Sequence, residues 1–282
     1  MNKKLFLLLT LLLFGTVSFA QSTNYLEQIA PMALKNREFV LYFQPICKFD
    51  QNKICGAEVL TRWIRKGEVI SPGKFIPIFE ENGFIKEFDA YVVDNALNYL
   101  QDWQNEGLQI GFLSINISAI ELDNMEFIEY LKSLLIKYDI IPDKVIIEIT
   151  ETKEIKNQKT AKEFMLALKN LGIKVALDDF GDGYATLDKL ETFRYDTIKL
   201  SKKLLDNFQN KESKKELRKT IKMLREYSVP IIAEGIENIQ EAKFLRKQKV
   251  AFAQGYLYYK PMPETDFKKL LSNKLPKYCY FK

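Results

Sequence analysis

Acidic and amide side chains recur in this sequence where short apolar runs end. Glu58 lies in the run Ile54 to Ile64, Asn116 follows Leu113-Ser114-Ile115, and Glu148 follows Val145-Ile146-Ile147. Asp178 and Asp179 follow Val175-Ala176-Leu177, Lys199 follows Thr197-Ile198, Glu234 follows Ile231-Ile232-Ala233, and Gln254 follows Ala251-Phe252-Ala253. Any one of these reads as a solvated turn or a helix cap, but a polar group at strand end after strand end does not. Adjacent carboxylates at Asp178 and Asp179 repel, so a cation belongs between them. Oxygen donors select a hard divalent ion, Mg²⁺ or Mn²⁺. Glu58, Asn116, Glu148 and Asp178 offer ligands to one ion, and Asp178 could bridge to a second supported by Asp179. Two ions about 3.5 to 4 Å apart suit in-line hydrolysis of a phosphate ester. Glu234 is then the candidate general base, with Lys199 orienting the water and offsetting charge on the phosphoryl oxygens.

Composition narrows the chemistry further. The chain contains no histidine, which excludes Ser-His-Asp and Cys-His nucleophilic schemes and every His-ligated zinc or iron site. Net charge is +5, or +3 once Lys3 and Lys4 are set aside, too weak to argue for a nucleic-acid polymer as partner. With 282 residues, 47% of them hydrophobic, the chain can build one large core. An α/β barrel typically needs about 250 residues.

The elements that must position these groups follow from periodicity. Residues 21–36 read as a lead-in helix, and residues 39–47 and 54–64 as two strands around a polar turn. Helices are expected over 72–82 and 87–104. Strands at 110–117, 144–149, 173–177, 197–200, 230–233 and 251–254 then alternate with helices at 122–138, 159–171, near 187, 203–227, 239–247 and 264–271. Asp178 and Asp179 fall in the turn after their strand, beside Gly181 and Gly183. Repeated βα units with apolar strands imply a parallel sheet covered by helices, closed as a TIM-like (β/α)8 barrel, with an open doubly wound sheet as the alternative. Phe75, Phe79, Phe84, Phe88 and Tyr91 are expected to pack as core, and the lysines from 202 to 222 to form a solvated face.

Residues 1–20 combine a basic start, an apolar run and small residues at Ser18 and Ala20, the pattern of a signal peptide cleaved before Gln21. An uncleaved membrane anchor through residues 5–20, or a start upstream of the true one, are the alternatives. Export or anchoring places the domain outside the cytoplasm; a misassigned start leaves it inside. Three cysteines are present; Cys47 and Cys55 flank the polar turn, either as a disulfide or as unlinked neighbours.

The ordered motifs Tyr42-Phe43-Gln44-Pro45-Ile46, Gly56-Ala57-Glu58-Val59-Leu60-Thr61-Arg62-Trp63, Ser114-Ile115-Asn116-Ile117-Ser118 and Glu148-Ile149-Thr150-Glu151 are similar to those of a known family. So are Asp178-Asp179-Phe180-Gly181, Ile198-Lys199-Leu200, Ala233-Glu234-Gly235-Ile236-Glu237 and Gln254-Gly255-Tyr256. The sequence resembles, over roughly residues 36–270, the EAL-domain phosphodiesterases that hydrolyse cyclic di-GMP, and a single such domain is expected over residues 37–278. The resemblance implies a barrel with an antiparallel first strand, and Mg²⁺ or Mn²⁺, two per site, on Glu58, Asn116, Glu148, Asp178 and Asp179. It implies Lys199 and Glu234 acting on the water, and Gln44, Leu60, Arg62 and Gln254 contacting the dinucleotide. Glu151 would secure the loop after Asp179, the product would be linear pGpG, and a homodimer is expected.

Three departures stand out. Glu58-Val59-Leu60 replaces the name-giving Glu-Ala-Leu and keeps the ligand. Ser201 stands where the family usually has aspartate, which removes a charge near the metals. Asp182 stands where threonine is usual, which adds a carboxylate beside Asp178 and Asp179. Two alternatives follow: a weak or inactive EAL-like receptor for cyclic di-GMP or a protein, and an enzyme for another phosphodiester.

Overall fold

The computed structural model describes residues 25–49, 53–150, 157–182 and 187–272. A helix, α1, covers residues 25–35. Then follow β1 (Phe39–Lys48), β2 (Lys53–Arg65), β3 (Glu68–Ile70), α2 (Pro72–Asn82) and α3 (Ile85–Asn105). From there strand and helix alternate: β4 (Phe112–Ile117), α4 (Met125–Lys137), β5 (Val145–Thr150), α5 (Gln158–Asn170), β6 (Lys174–Phe180), α6 (Leu187–Phe193) and β7 (Thr197–Leu200). The chain continues through α7 (Lys203–Asp206), α8 (Lys211–Glu226), β8 (Ile231–Ala233), α9 (Ile239–Lys247), β9 (Phe252–Ala253), β10 (Met262–Pro263) and α10 (Glu264–Leu271). Contacts divide it into two compact units, one of residues up to Val40 with Thr61–Phe88, the other of Leu41–Leu60 with everything from Asp89 onward.

The first unit is built on aromatic packing. Phe39 lies 4.8 Å from Trp63, 5.6 Å from Phe75, 5.9 Å from Phe79 and 5.1 Å from Phe88, ring centre to ring centre. Phe84 packs on Phe79 at 4.8 Å, so the aromatic run serves as core, as its spacing implies. The Trp63 indole N–H donates to Glu38 (3.0 Å), whose carboxylate also accepts from Arg65 (2.8 Å). Burial raises the Glu38 carboxyl, but these hydrogen bonds and the Arg65 charge outweigh it and hold it below the ordinary range.

The second unit is the barrel. Strand order runs β1-β9-β8-β7-β6-β5-β4-β2 and closes through β1–β2. Neighbours from β2 through β4 to β9 are parallel, whereas β1 is antiparallel to β9 and takes β10 on antiparallel. The closed mixed barrel with its surrounding helices is the fold expected. Helices cover its outer face, which is why its strands are continuous apolar runs; β5 is buried from Val145 to Ile149. Phe43 is held on the outside of β1 by Tyr99, Trp103 and Phe267.

The structure corrects two expectations, adds a short strand and decides between the two readings of Cys47 and Cys55. The β6 strand does not end at Leu177 but runs to Phe180, because Phe180 is apolar and buried and its register with Leu200 resumes after an irregularity. Asp178 and Asp179 therefore sit inside a strand, on a bulge. The long helix over 203–227 is two, since Asn210 caps a new start by accepting from the Glu212 N–H at 2.7 Å. The short β10 has no periodicity to announce it. Cys55 is an unoxidised thiol donating to the Ile46 carbonyl at 3.3 Å, while Cys47 is disulfide-bonded, so the two do not pair with each other. Among the described residues no helix is long and apolar enough to cross a membrane; residues 1–20 lie outside them.

Candidate active site

The C-terminal ends of the barrel strands converge on one buried lysine. Lys199, on β7, is 1% exposed, and its ammonium lies 2.6 Å from Glu234, 2.8 Å from Glu148, 3.0 Å from Asp178 and 3.3 Å from Glu58. Strand register brings these groups together: Glu58 on β2 pairs with Ser114 on β4, Asn116 with Glu148 on β5, and Thr150 with Asp178 on β6. The Ser114 hydroxyl donates to Glu148 Oε1, and the Lys199 ammonium to Glu148 Oε2. Asn116 Nδ2 donates to Glu58 Oε1 at 2.8 Å, and Gln254 Nε2 to Glu58 Oε2 at 2.6 Å. Gln254 Nε2 also donates to Gln44 Oε1 (3.1 Å), and Gln44 Nε2 donates to the Tyr259 carbonyl (3.1 Å). The two glutamines thus fix the rotamer of Glu58, a supporting role that strand-end counting does not reveal.

Five carboxyl groups, from Glu58, Glu148, Asp178, Asp179 and Glu234, face a single ammonium, and the electrostatics record the imbalance. Burial pushes Glu148 up to about 8 against the pull of Lys199, with Glu58 and Asp178 adding repulsion. Burial, Asp178 and Asp182 push Asp179 up to about 6. Glu234 is raised well above the ordinary range, first by burial and then, against Lys199, by the neighbouring acids. Burial also acts to raise Glu58, but Lys199 and the hydrogen bonds from Gln254 and Asn116 prevail and hold it low. Burial acts to lower Lys199, yet the surrounding carboxylates prevail and hold it well above the ordinary lysine range.

The donor set fits a hard divalent cation: carboxylate and amide oxygens, no sulfur and no imidazole. Asp178, Asp179 and Glu234 each bring an oxygen within 4.8 Å of the others. Glu234 therefore belongs to this acidic group as well as lying beside Lys199, which its assignment as base alone did not anticipate. Asp178 Oδ1 is buried and ion-paired to the Lys199 ammonium at 3.0 Å, and it accepts no other polar contact among the described residues.

Beside this centre opens a cavity of about 290 Å³, lined by Gln44, Glu58, Leu60, Glu234 and Gln254 together with Lys202, Glu237 and Tyr256. A family model for the EAL domain matches residues 27–261. The chain belongs to the EAL-domain family. Among curated EAL relatives, the signaling protein YkoW of Bacillus subtilis is 30% identical over 87% of this chain. The probable cyclic di-GMP phosphodiesterase PdeB of Escherichia coli is 30% identical over 83%. The chain spans 31% and 45% of those two relatives' lengths. Among solved structures, the EAL enzyme Bd1971 in its cAMP-bound form superposes with a TM-score of 0.83 at 29% identity, over 96% of this chain and 76% of that one. The PaMucR phosphodiesterase in complex with c-di-GMP gives 0.81 at 24% identity over 86% and 99%, a likeness of fold.

Of the residues singled out, the EAL barrel unites Gln44, Glu58, Leu60, Asn116, Glu148, Asp178, Asp179, Lys199, Glu234 and Gln254. Arg62 belongs to the other compact unit, where its guanidinium donates to the Thr61 carbonyl at 2.9 Å, and Glu151 lies outside the described residues. Lys202, ion-paired to Glu237 at 2.5 Å, and the half-exposed Tyr256 were missed as cavity walls. Glu237 was visible as the second glutamate of the Glu234 motif; Lys202 carried no signal beyond its charge.

Proposed function

We propose that this EAL domain is a metal-dependent phosphodiesterase that hydrolyses cyclic di-GMP to linear pGpG, with Mg²⁺ or Mn²⁺ as cofactor, two ions per site. The observation that carries the reading is the ring of carboxylates around Lys199 at the floor of an open cavity, which matches what phosphoryl transfer to water requires. Support also comes from PdeB and PaMucR, whose names assign them phosphodiesterase activity.

Glu58, Asn116, Glu148, Asp178 and Asp179 would hold the ions, with Glu234 closing the group around Asp178 and Asp179. When bound, the ions neutralise the phosphoryl oxygens and acidify water. Glu234, 2.6 Å from the Lys199 ammonium, would take the proton from that water. Lys199 keeps its charge through the reaction and counters the negative charge that develops on the phosphoryl group. Gln254 Oε1 is buried without a donor among the described residues and would accept from a guanine N–H, while Leu60 and Tyr256 would supply apolar surface for the base. Arg62 and Glu151 keep their expected roles, on the dinucleotide and on the loop after Asp179, as part of this proposal. So does a homodimer. An oxidising, extracytoplasmic location is favoured by the disulfide at Cys47 and the apolar start of the chain.

The test is turnover of cyclic di-GMP by the full chain with Mg²⁺, with Mn²⁺ and with chelator, following pGpG by chromatography beside Glu58→Ala and Glu234→Gln. We expect metal-dependent pGpG, and a fall of at least about 100-fold in kcat for Glu234→Gln. No product with either metal, or Glu58→Ala turning over at the parent rate, overturns the proposal.

A further inference from the structure

Asp179 has a left-handed backbone, φ +56°, uncommon for a residue with a side chain. It lies in the bulge of β6, between the register pairs Leu177 with Ile198 and Phe180 with Leu200. Something beyond the strand must hold that conformation, and the chain supplies it from β7 and α7. The Ser201 N–H donates to the Phe180 carbonyl (3.1 Å), and the Asp182 N–H donates back to the Asp179 carbonyl (3.2 Å). The Ser201 hydroxyl, 3% exposed as a residue, donates to Asp182 Oδ1 at 2.5 Å, and the Lys203 ammonium to Asp182 Oδ2 at 2.6 Å. Lys203 also donates its backbone N–H to Ser201 Oγ (3.2 Å). Between Asp179 and Asp182, Gly181 adopts φ +104° and packs so tightly on Leu204 of α7 that a Cβ would stand 2.6 Å from its side chain.

The two departures from the family pattern, a serine gained at 201 and an aspartate gained at 182, are thus in direct contact. The charge missing from the end of β7 reappears across one hydrogen bond, on the loop after β6, where Lys203 neutralises it. We propose that Asp182, Ser201 and Lys203 form a clasp that fixes Asp179 in its metal-binding geometry, Asp182 and Ser201 being positioning residues that function only as a matched pair. The proposal rests on the reading of Asp178, Asp179 and Glu234 as metal donors, and it makes Ser201 a working part of the site rather than a loss.

Mn²⁺ binding to the metal-free full chain, by calorimetry and electron paramagnetic resonance, tests it through Ser201→Asp, Asp182→Thr, and the double variant that returns the carboxylate to β7. Ser201→Asp sets carboxylate against carboxylate and should weaken Mn²⁺ binding about 10-fold or more. Asp182→Thr frees Lys203 and should also weaken it about 10-fold. The double variant should recover to within about threefold of the parent, because the two sites are coupled. Losses that multiply in the double variant, or single variants that bind like the parent, overturn the clasp. Should Ser201→Asp fail to fold by circular dichroism, Ser201→Ala removes the donor without adding charge, and parent-like Mn²⁺ affinity there overturns it equally. The readout needs no nucleotide. A chain that hydrolyses no cyclic di-GMP yet shows coupled Mn²⁺ affinities keeps the clasp and loses the phosphodiesterase, normal turnover with uncoupled affinities does the reverse, and a parent that binds no Mn²⁺ sinks both.

Discussion

At the scale of the residue, the site is a problem of crowded negative charge. Glu148 rises from an ordinary 4.5 to about 8 and Asp179 from 3.8 to about 6, with burial the largest cause in each. A carboxyl that holds its proton more tightly when folded stabilises the fold below its unfolded value, and this contribution is lost as pH climbs through the folded value. Chelated protein should therefore melt at steadily lower temperature from about pH 5 to about pH 9, and the rise in Tm on adding Mg²⁺ should widen over the same window. Calorimetric melts in chelator and in Mg²⁺ check this; a Tm that climbs with pH in chelator contradicts it. Lys199 is the other side of the balance. Lys199→Met leaves buried carboxylates without their cation and should cost about 3 kcal/mol at alkaline pH in chelator, less at acid pH where the carboxyls take up protons. Denaturant melts at two pH values measure the difference, and an equal cost at both would count against the charge argument.

At the scale of the element, the strands deliver the chemistry and the turns tune it. Gly255 links Gln254 to Tyr256 so close to the Glu234 loop that a Cβ would stand 2.2 Å from the Ile236 carbonyl oxygen. That neighbour is backbone and cannot swing aside. Gly255→Ala should cost about 1 to 3 kcal/mol and displace Gln254 from Glu58, lowering kcat as well as Tm. A variant with parent Tm and parent kcat would show that the loop yields. Much of this frame was legible beforehand. Apolar runs ending in Glu148, Lys199 and Glu234 announce parallel strands with a polar mouth, and helix α9 begins and ends where its pattern does. The bulge at Asp178 and Asp179 was not, because left-handed φ at a non-glycine is imposed by contacts with Ser201 and Leu204, remote in sequence. Nor was the break at Asn210, whose capping bond competes with a lysine-rich run that reads as one helix. Nor was the hold of Gln254 on Glu58, since a hydrogen bond to a residue 196 positions away leaves no mark on local spacing.

At the scale of the whole molecule, two fastenings act at a distance: the closure of β1 onto both β2 and β9, and the disulfide that Cys47 makes from β1. Reduction should lower the Tm of the parent by several degrees, by the unfolded-state argument for cross-links. Cys47→Ser should show the lowered Tm without reductant, and Cys55→Ser should melt like the parent. Scanning calorimetry with and without reductant decides, and a parent indifferent to reductant would mean the bond contributes nothing. The ammonium of Lys199 has a consequence of a different kind, in the order of assembly. A cage of acids that depended on metal to close would make folding wait for an ion. This barrel carries its own tethered counter-ion on β7, so the strands can meet without a metal, and an ion would find a finished cage. Protein unfolded and returned to native buffer in chelator at mildly acid pH should accordingly regain its full circular dichroism, and then bind Mn²⁺ without a further change in secondary structure.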